Sequence, residues 1–350
     1  MASRTVLVTG FPLDVARRMT AELAAKGDRV ILLVRAKFMS EAVDLSRTLA
    51  QSCPGQVDVW EGDVLQLDLG LSGVNVRQLH AEIEEIHHIA AITYLGVPKG
   101  SMRQVNVEGL RELLEVALGC RKLQRICAWS TVFVAGDRSG DVFEEDLSAG
   151  QQYRNPYEQT KAEAEQLLRT AMAKLPITVV RPSIIVGDSQ TGEIGRMDGP
   201  YMLIHAIVHA GPQVAVPLPG RGQYPLHIVP IDYAVRAALA LTRHPQAVSG
   251  TFHLVDSQPA TARALFDAVA DAAGRPRPNL FLPEGLAKAV LNLPFLRNRV
   301  RSERSFLEWF DADVRFDDRN ARALLEPLDV VCPPALSYIE ALVRHVRERG

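Results

Sequence analysis

Thr5-Val6-Leu7-Val8-Thr9-Gly10, followed after one helix length by Val30-Ile31-Leu32-Leu33-Val34, decides how this 350-residue chain folds. The first run is apolar, of strand length, and ends in glycine. From about Leu13 to Lys26 the apolar positions recur at helical spacing, and Gly27-Asp28 reads as a turn. The second run is again apolar without alternation. Strands buried on both faces belong to a parallel sheet covered by helices, so the stretch reads as a β-α-β unit. The pattern continues through Val57-Asp58-Val59-Trp60, Ile86-His87-His88-Ile89-Ala90, Arg125-Ile126-Cys127-Ala128-Trp129 and Ile177-Thr178-Val179-Val180-Arg181, with helical stretches such as 105–118 between them. Alternation of this kind predicts an α/β fold, a Rossmann-type doubly wound parallel sheet.

Beyond about Gly187 the texture changes. Gly, Pro and Asp become frequent, short returns to the sheet are expected near Leu226–Val229 and Gly250–Val255, and residues 261–350 read as mostly helical. The expected organisation is a dinucleotide-binding domain over 1–186, with sheet returns near 226–255, and a smaller, mostly helical substrate-binding region over 187–350. Hydrophobic content of 47% and charged content of 23% are those of a globular protein, and a net charge of -2 gives no electrostatic case for nucleic acid. Cys53, Cys120, Cys127 and Cys332 are scattered, without metal-ligand spacing, and read as reduced thiols. The N-terminus runs straight into a strand, and no apolar run is long enough for an integral membrane segment, so a cytoplasmic chain is expected.

Gly10 opens a turn in which glycines would let the backbone approach a pyrophosphate at a helix N-terminus. The string is Gly10-Phe11-Pro12-Leu13-Asp14-Val15-Ala16. Ala16 is small enough for the third glycine position. Leu13 stands at the second, where its side chain would crowd the phosphate, and Asp14 adds a negative charge. The loop therefore reads either as a cofactor loop or as one that no longer binds a dinucleotide tightly. After the second strand come Arg35 and Lys37, where an NAD site usually has an acidic residue; cations there favour the 2′-phosphate of NADP, with NAD the alternative. The competing reading is two solvated basic side chains. Asp63 and Val64 follow the third strand, where an Asp can accept from an adenine amino group.

Tyr157-Glu158-Gln159-Thr160-Lys161 begins a further helix after Asn155-Pro156. Residues four apart share a helix face, so Lys161 is expected to lower a phenol pKa that starts near ~10 and so make Tyr157 a usable proton donor. The pair follows a strand ending in Trp129-Ser130-Thr131.

In this order and spacing, Thr9-Gly10, Gly62-Asp63, His88-Ile89-Ala90-Ala91, Asn106-Val107-Glu108-Gly109, Ser130-Thr131, Tyr157/Lys161, Arg181-Pro182, Gly187–Glu193 and Val229–Tyr233 resemble the extended short-chain dehydrogenase/reductase superfamily. The nearest likeness is to its fatty acyl reductase, male-sterility and thioester-reductase branch. The resemblance implies that Tyr157 donates a proton to a substrate carbonyl oxygen, that Lys161 supports it and holds the nicotinamide ribose, and that Thr131, with Ser130 as fallback, orients the carbonyl. Ala90 and Ala91 would line the cofactor, Asn106 would hold the central helix in register beside it, and Pro182 and Ser183 would touch the nicotinamide amide. A homodimer is what the family suggests.

The reaction implied is NAD(P)H-dependent reduction of a carbonyl in a lipophilic or polyketide-like small molecule. Alternatives are an acyl-thioester or acyl-CoA reductase, a sugar-nucleotide epimerase or dehydratase, and a non-catalytic binder with a degraded cofactor loop. The apolar stretch from Leu280 through Leu296, followed by Arg297, Arg299, Arg301 and Arg304, reads as a core helix with a solvated basic end, as a stripe lying on a membrane surface, or as the rim of a lipophilic pocket. Phe306, Trp309 and Phe310 read as core or as the lining of a hydrophobic pocket.

Overall fold

The computed structural model describes residues 3–94, 97–282, 310 and 312–349. Among them, strands β1 (Thr5–Thr9), β2 (Arg29–Val34), β3 (Gln56–Glu61), β4 (Glu85–His88), β5 (Arg125–Trp129), β7 (Ile177–Pro182) and β11 (Thr251–Leu254) form one parallel sheet in the order β11-β7-β5-β4-β1-β2-β3. Successive side chains point to opposite faces. Val6, Val8, Val30, Leu32 and Val34 enter one core and Leu7, Ile31 and Leu33 the other. The first core is closed by α1 (Asp14–Ala25), α2 (Met39–Ser52) and α8 (Ile231–Arg243), the second by α3 (Gly73–Glu82), α5 (Gly109–Leu118) and α6 (Pro156–Ala171). The uninterrupted apolar runs of the sequence exist because both faces are covered.

The order reverses between β1 and β4, which leaves a crevice outside the carboxyl ends of these strands. Two features of the adjoining backbone depart from plain helix. A short helix α4 (Lys99–Arg103) runs through a π-turn at Gln104–Glu108 into α5, and Asn106 sits in that turn. Its side chain accepts from Ile92 N (2.7 Å) and donates to Ile92 O (3.2 Å) and Thr160 Oγ1 (3.1 Å), tying the loop after β4 to α6.

The C-terminal part has its own apolar cluster, built on α7 (Tyr201–Val208), α9 (Ala262–Ala273) and α11 (Ile339–Arg349). Here the sequence expectation needs correction. The return near residues 226–229 is a strand, β10 (Ile228–Pro230), but it pairs with β8 (Ile184–Val186) in a separate two-stranded sheet. Pro182 and Pro230 each lack the N–H that a strand interior needs, and the chain leaves the main sheet at Pro182. Thr251–Leu254 does join it, as the edge beside β7. Two further parallel pairs were not expected: β6 (Gly140–Val142) with β13 (Val314–Phe316), and β9 (Leu218–Pro219) with β12 (Phe281–Leu282). Helix α10 (Arg319–Leu325) follows β13.

The stretch from Pro283 to Trp309, with its apolar run, its arginines, Phe306 and Trp309, lies outside the described residues. Phe310 is core: it is buried and stacks on Phe266 with ring centroids 5.5 Å apart. Among the described residues no helix is long and apolar enough to cross a membrane.

Candidate active site

Helix α6 starts where its sequence says it should. Asn155 caps it by accepting from Glu158 N (3.0 Å), Pro156 occupies the first turn, and Glu158 accepts from Arg154 N (2.9 Å). Tyr157 and Lys161 thereby face the carboxyl ends of β5 and β7. Thr131 leaves β5 in extended conformation and caps the next turn by accepting from Phe133 N (3.3 Å). The Thr131 hydroxyl, which donates to Pro182 O at 3.5 Å, lies on the same cleft as the Tyr157 phenol and favours its ionised form. Lys161 Nζ donates to Trp129 O at 2.5 Å. These side chains line a cleft of about 310 Å³ whose other walls are mainly apolar, including Ile89, Phe133, Ile184, Ile185, Ile194 and Ile231.

The electrostatics of the pair differ from expectation. Burial pushes the Tyr157 phenol up to about 12, with the Thr131 hydroxyl opposing, so the expected lowering by Lys161 is not found. The reason is where the ammonium points: it is engaged with Trp129 O, and desolvation dominates at the phenol. Burial also brings Lys161 down to about 8, against the attraction of Glu165 one turn along. The arrangement thus holds a protonated phenol next to a hydroxyl and a cation that titrates just above neutrality. It can donate a proton to an oxygen placed between Tyr157 and Thr131.

Ser130 also lines the cleft, but its hydroxyl is committed elsewhere. It donates to Glu165 Oε2 at 2.7 Å, and Glu165 is held by Arg181 through Nε (3.0 Å) and Nη2 (2.5 Å). Arg181 is fully buried and satisfies its remaining N–H groups on Glu144 O, Asp146 O and His253 Nε2. The fallback role assigned to Ser130 is therefore corrected to that of an anchor for a buried ion pair. Sequence reasoning missed this pair; the spacing of Glu165 four residues beyond Lys161 was the available signal.

At the other end of the cleft, Gly10 has φ +101°, and a Cβ there would lie 2.7 Å from Ala90 N, so the turn needs glycine. Thr9 Oγ1 accepts from both Ile89 N and Ala90 N (3.2 Å each). With both lone pairs used, its proton goes to His88 Nδ1 (3.1 Å), which fixes the Nε2–H tautomer of His88. Burial lowers His88 to about 3, so it stays neutral. Phe11 is buried in the core, the Phe11–Pro12 peptide is cis, and Leu13 precedes α1 with its side chain partly packed on the same core. Asp14 does not lie free at the phosphate turn: its carboxylate accepts from Gly195 N (3.0 Å) and Arg196 N (3.2 Å).

Arg35 and Lys37 are exposed at the end of β2, each over the Phe38 ring at 5.4 and 4.7 Å, with no ion pair among the described residues. Asp63 Oδ1 accepts from Leu65 N (3.0 Å), and Val64 is buried near Gly109. Leu13, Ala91, Thr131, Tyr157, Lys161, Pro182 and Ser183 are brought together on the cleft, whereas Gly10, Phe11, Pro12, Arg35, Lys37, Asp63, Val64, Ala90 and Asn106 are not on its wall. The three bonds described above engage Asn106 with Ile92 and Thr160. Ser183 Oγ is buried on the cleft without a hydrogen-bond partner among the described residues. Such an orphan calls for a ligand or water. With the glycine-only turn under Ala90 and the unpaired cations after β2, it suits a nicotinamide dinucleotide.

The family model described as male sterility protein matches residues 8–238. Carboxylic acid reductase of Mycobacterium tuberculosis is 28% identical over 286 residues, which is 72% of this chain and 24% of that protein. The terminal R domain from the myxalamid PKS-NRPS biosynthetic pathway superposes with a TM-score of 0.82 at 26% identity, covering 100% of this chain and 92% of that one. UDP-glucuronic acid 4-epimerase from Bacillus cereus, solved with NAD, superposes with a TM-score of 0.69 at 19% identity, covering 99% of each chain, and shares the fold. The curated relatives are much longer than the stretch they share with this chain, which spans 4% of a linear gramicidin synthase of Brevibacillus parabrevis.

Proposed function

The chain belongs to the male sterility protein family, within the extended short-chain dehydrogenase/reductase superfamily of NAD(P)-dependent oxidoreductases, and from that premise we propose that it reduces a carbonyl carbon of a lipophilic substrate. The observation that carries this is the convergence of Thr131, Tyr157 and Lys161 on an apolar cleft that also holds the orphan Ser183 hydroxyl. A nicotinamide dinucleotide, when bound, would supply the hydride. Tyr157 donates its proton to the substrate oxygen, and Thr131, on the same cleft beside the phenol, orients that oxygen. Lys161 keeps N–H groups beyond the one given to Trp129 O, and these suit ribose hydroxyls. Ser183 Oγ suits the nicotinamide amide. Residues 1–186 would hold the dinucleotide and 187–350 the substrate. Arg35 and Lys37 favour NADPH over NADH.

A second reading, reduction of an acyl thioester, is favoured by the likeness to the terminal R domain at 26% identity. An epimerase is less well matched. Lys161 and Arg196 are the cations among the described cleft residues, and Arg196 is paired with Asp198, which leaves little for a nucleoside diphosphate.

The test begins with titration of the purified chain with NADPH and NADH, followed by turnover of medium-chain aldehydes, ketones and acyl-CoA thioesters. Aldehyde or alcohol formed from the thioester selects the second reading. Tyr157→Phe is expected to keep the dinucleotide Kd within about threefold and to lose turnover by about a hundredfold or more. Absence of binding by either dinucleotide sinks the reductase reading.

A further inference from the structure

Leu13 stands at a glycine position of the phosphate turn and Asp14 brings it a negative charge, and the reaction above makes no use of either. Asp14 opens helix α1, yet its carboxylate reaches across to the other half of the molecule. One oxygen accepts from Gly195 N at 3.0 Å and the other from Arg196 N at 3.2 Å. A Cβ at Gly195 would stand 2.4 Å from Asp14 Oδ1, so the approach depends on glycine at that position. One turn further along α1, Arg18 pairs with Asp188 at the start of the same segment. From the opposite side, Arg349 of α11 donates to Ile194 O (3.0 Å) and Gly195 O (3.1 Å). The segment 194–199 is held between α1 and α11, and Ile194, Arg196, Asp198 and Gly199 form one wall of the cleft. Arg196 carries the wall to the mouth, where its guanidinium lies 5.8 Å from the Tyr94 ring centroid and 2.5 Å from Asp198.

We propose that Asp14 is a positioning residue for the substrate wall, fixing Ile194 and Arg196 against the cleft through the two amides rather than serving the dinucleotide. The inference rests on the reductase reading for what the wall contacts. It gives the acidic residue of the turn a use: its charge is engaged on the substrate side instead of standing free beside the phosphates. A carboxylate accepting two N–H groups is geometrically committed, and its bonds are charge-assisted, so a single side chain sets the position of the wall. Substrate size and shape, not cofactor affinity, should respond to it.

The experiment is amide hydrogen exchange over 194–196 in the full chain without ligand, with NADPH titration and steady-state kinetics on octanal and octanoyl-CoA, for wild type, Asp14→Ala, Asp14→Asn and Gly195→Ala. Asp14→Ala is expected to speed exchange at Gly195 and Arg196 by at least about tenfold and to raise the substrate KM by about tenfold. Its kcat should stay within about twofold and its NADPH Kd should not weaken. Asp14→Asn, with one accepting oxygen, should fall between. Gly195→Ala breaks the same contact from the other side with the phosphate turn intact, so it should give the same KM effect, and the double variant should be no worse than Gly195→Ala. Unchanged exchange in Asp14→Ala, or a tenfold loss of NADPH affinity with unchanged substrate KM, overturns the inference. A wild-type chain that binds no dinucleotide overturns the reductase reading instead, and the exchange result is read independently of it.

Discussion

Lys161 is the titrating group on which the pH behaviour of the site depends. Its folded pKa is brought to about 8 by burial, below the ordinary lysine value, so the ammonium is present below that pH and lost as pH rises through it. Tyr157, pushed up to about 12, stays protonated over the same range, and His88, near 3, stays neutral. Since kcat/KM reports groups of the free enzyme, it should fall above about pH 8. Lys161→Arg, which cannot lose its proton in this range, should flatten that limb even though its absolute rate is lower. A limb that persists unchanged in the arginine variant would assign the titration to another group. Ser130 makes the contrasting case. Removing its hydroxyl leaves the buried Glu165 with one donor fewer, so Ser130→Ala should cost about 1–3 kcal/mol in denaturant unfolding. Its kcat should remain within a few-fold of wild type, which a catalytic Ser130 would not allow.

At the scale of elements, the turn between β1 and α1 is the sharpest test of the cofactor site. Gly10→Ala would put a methyl 2.7 Å from Ala90 N in a backbone conformation that side chains disfavour. A cost of about 1–3 kcal/mol in stability is expected, together with loss of NADPH binding by calorimetry. The main elements were legible in the sequence for one physical reason. Strands buried on both faces read as unbroken apolar runs, and β1, β2 and β5 do so over their interior positions. Tyr157 and Lys161 were legible because helical spacing alone places them together. What escaped were contacts whose partners lie far apart in the chain. Asp14 finds Gly195 and Arg196, Ser130 finds Glu165, and the three-residue strands β6 and β13 pair across the molecule, and none of these has a periodic signature. The phenol pKa escaped for a different reason: spacing placed the lysine near the tyrosine but could not say that its ammonium would turn to Trp129 O.

For the molecule as a whole, Glu144 joins parts of the fold that are remote in sequence. Its buried carboxylate accepts from His253 N in β11 (3.0 Å) and from Asn320 N (2.7 Å) and Ala321 N (3.1 Å) in the first turn of α10. Burial raises its pKa from 4.5 to about 7, against the pull of those three N–H groups. A carboxyl whose folded pKa lies above its unfolded one binds a proton more tightly when folded. Its contribution to stability is therefore full below about pH 4.5 and is lost as pH rises through about 7. Other buried groups titrate with the opposite sign: His253, near 3 when folded, must be charged on unfolding in acid, which makes the chain less stable as pH falls below its ordinary value. The two effects overlap in the raw pH profile, so the informative quantity is a difference. Glu144→Gln is neutral at every pH, and the unfolding free energy of wild type minus that of the variant should decline from pH 5 to pH 8 and level off above it. The slope should be at most ~1.4 kcal/mol per pH unit, the limit for one proton. A difference that stays flat across this range would mean that the three N–H groups outweigh burial and that Glu144 holds β11 to α10 as a permanent anion.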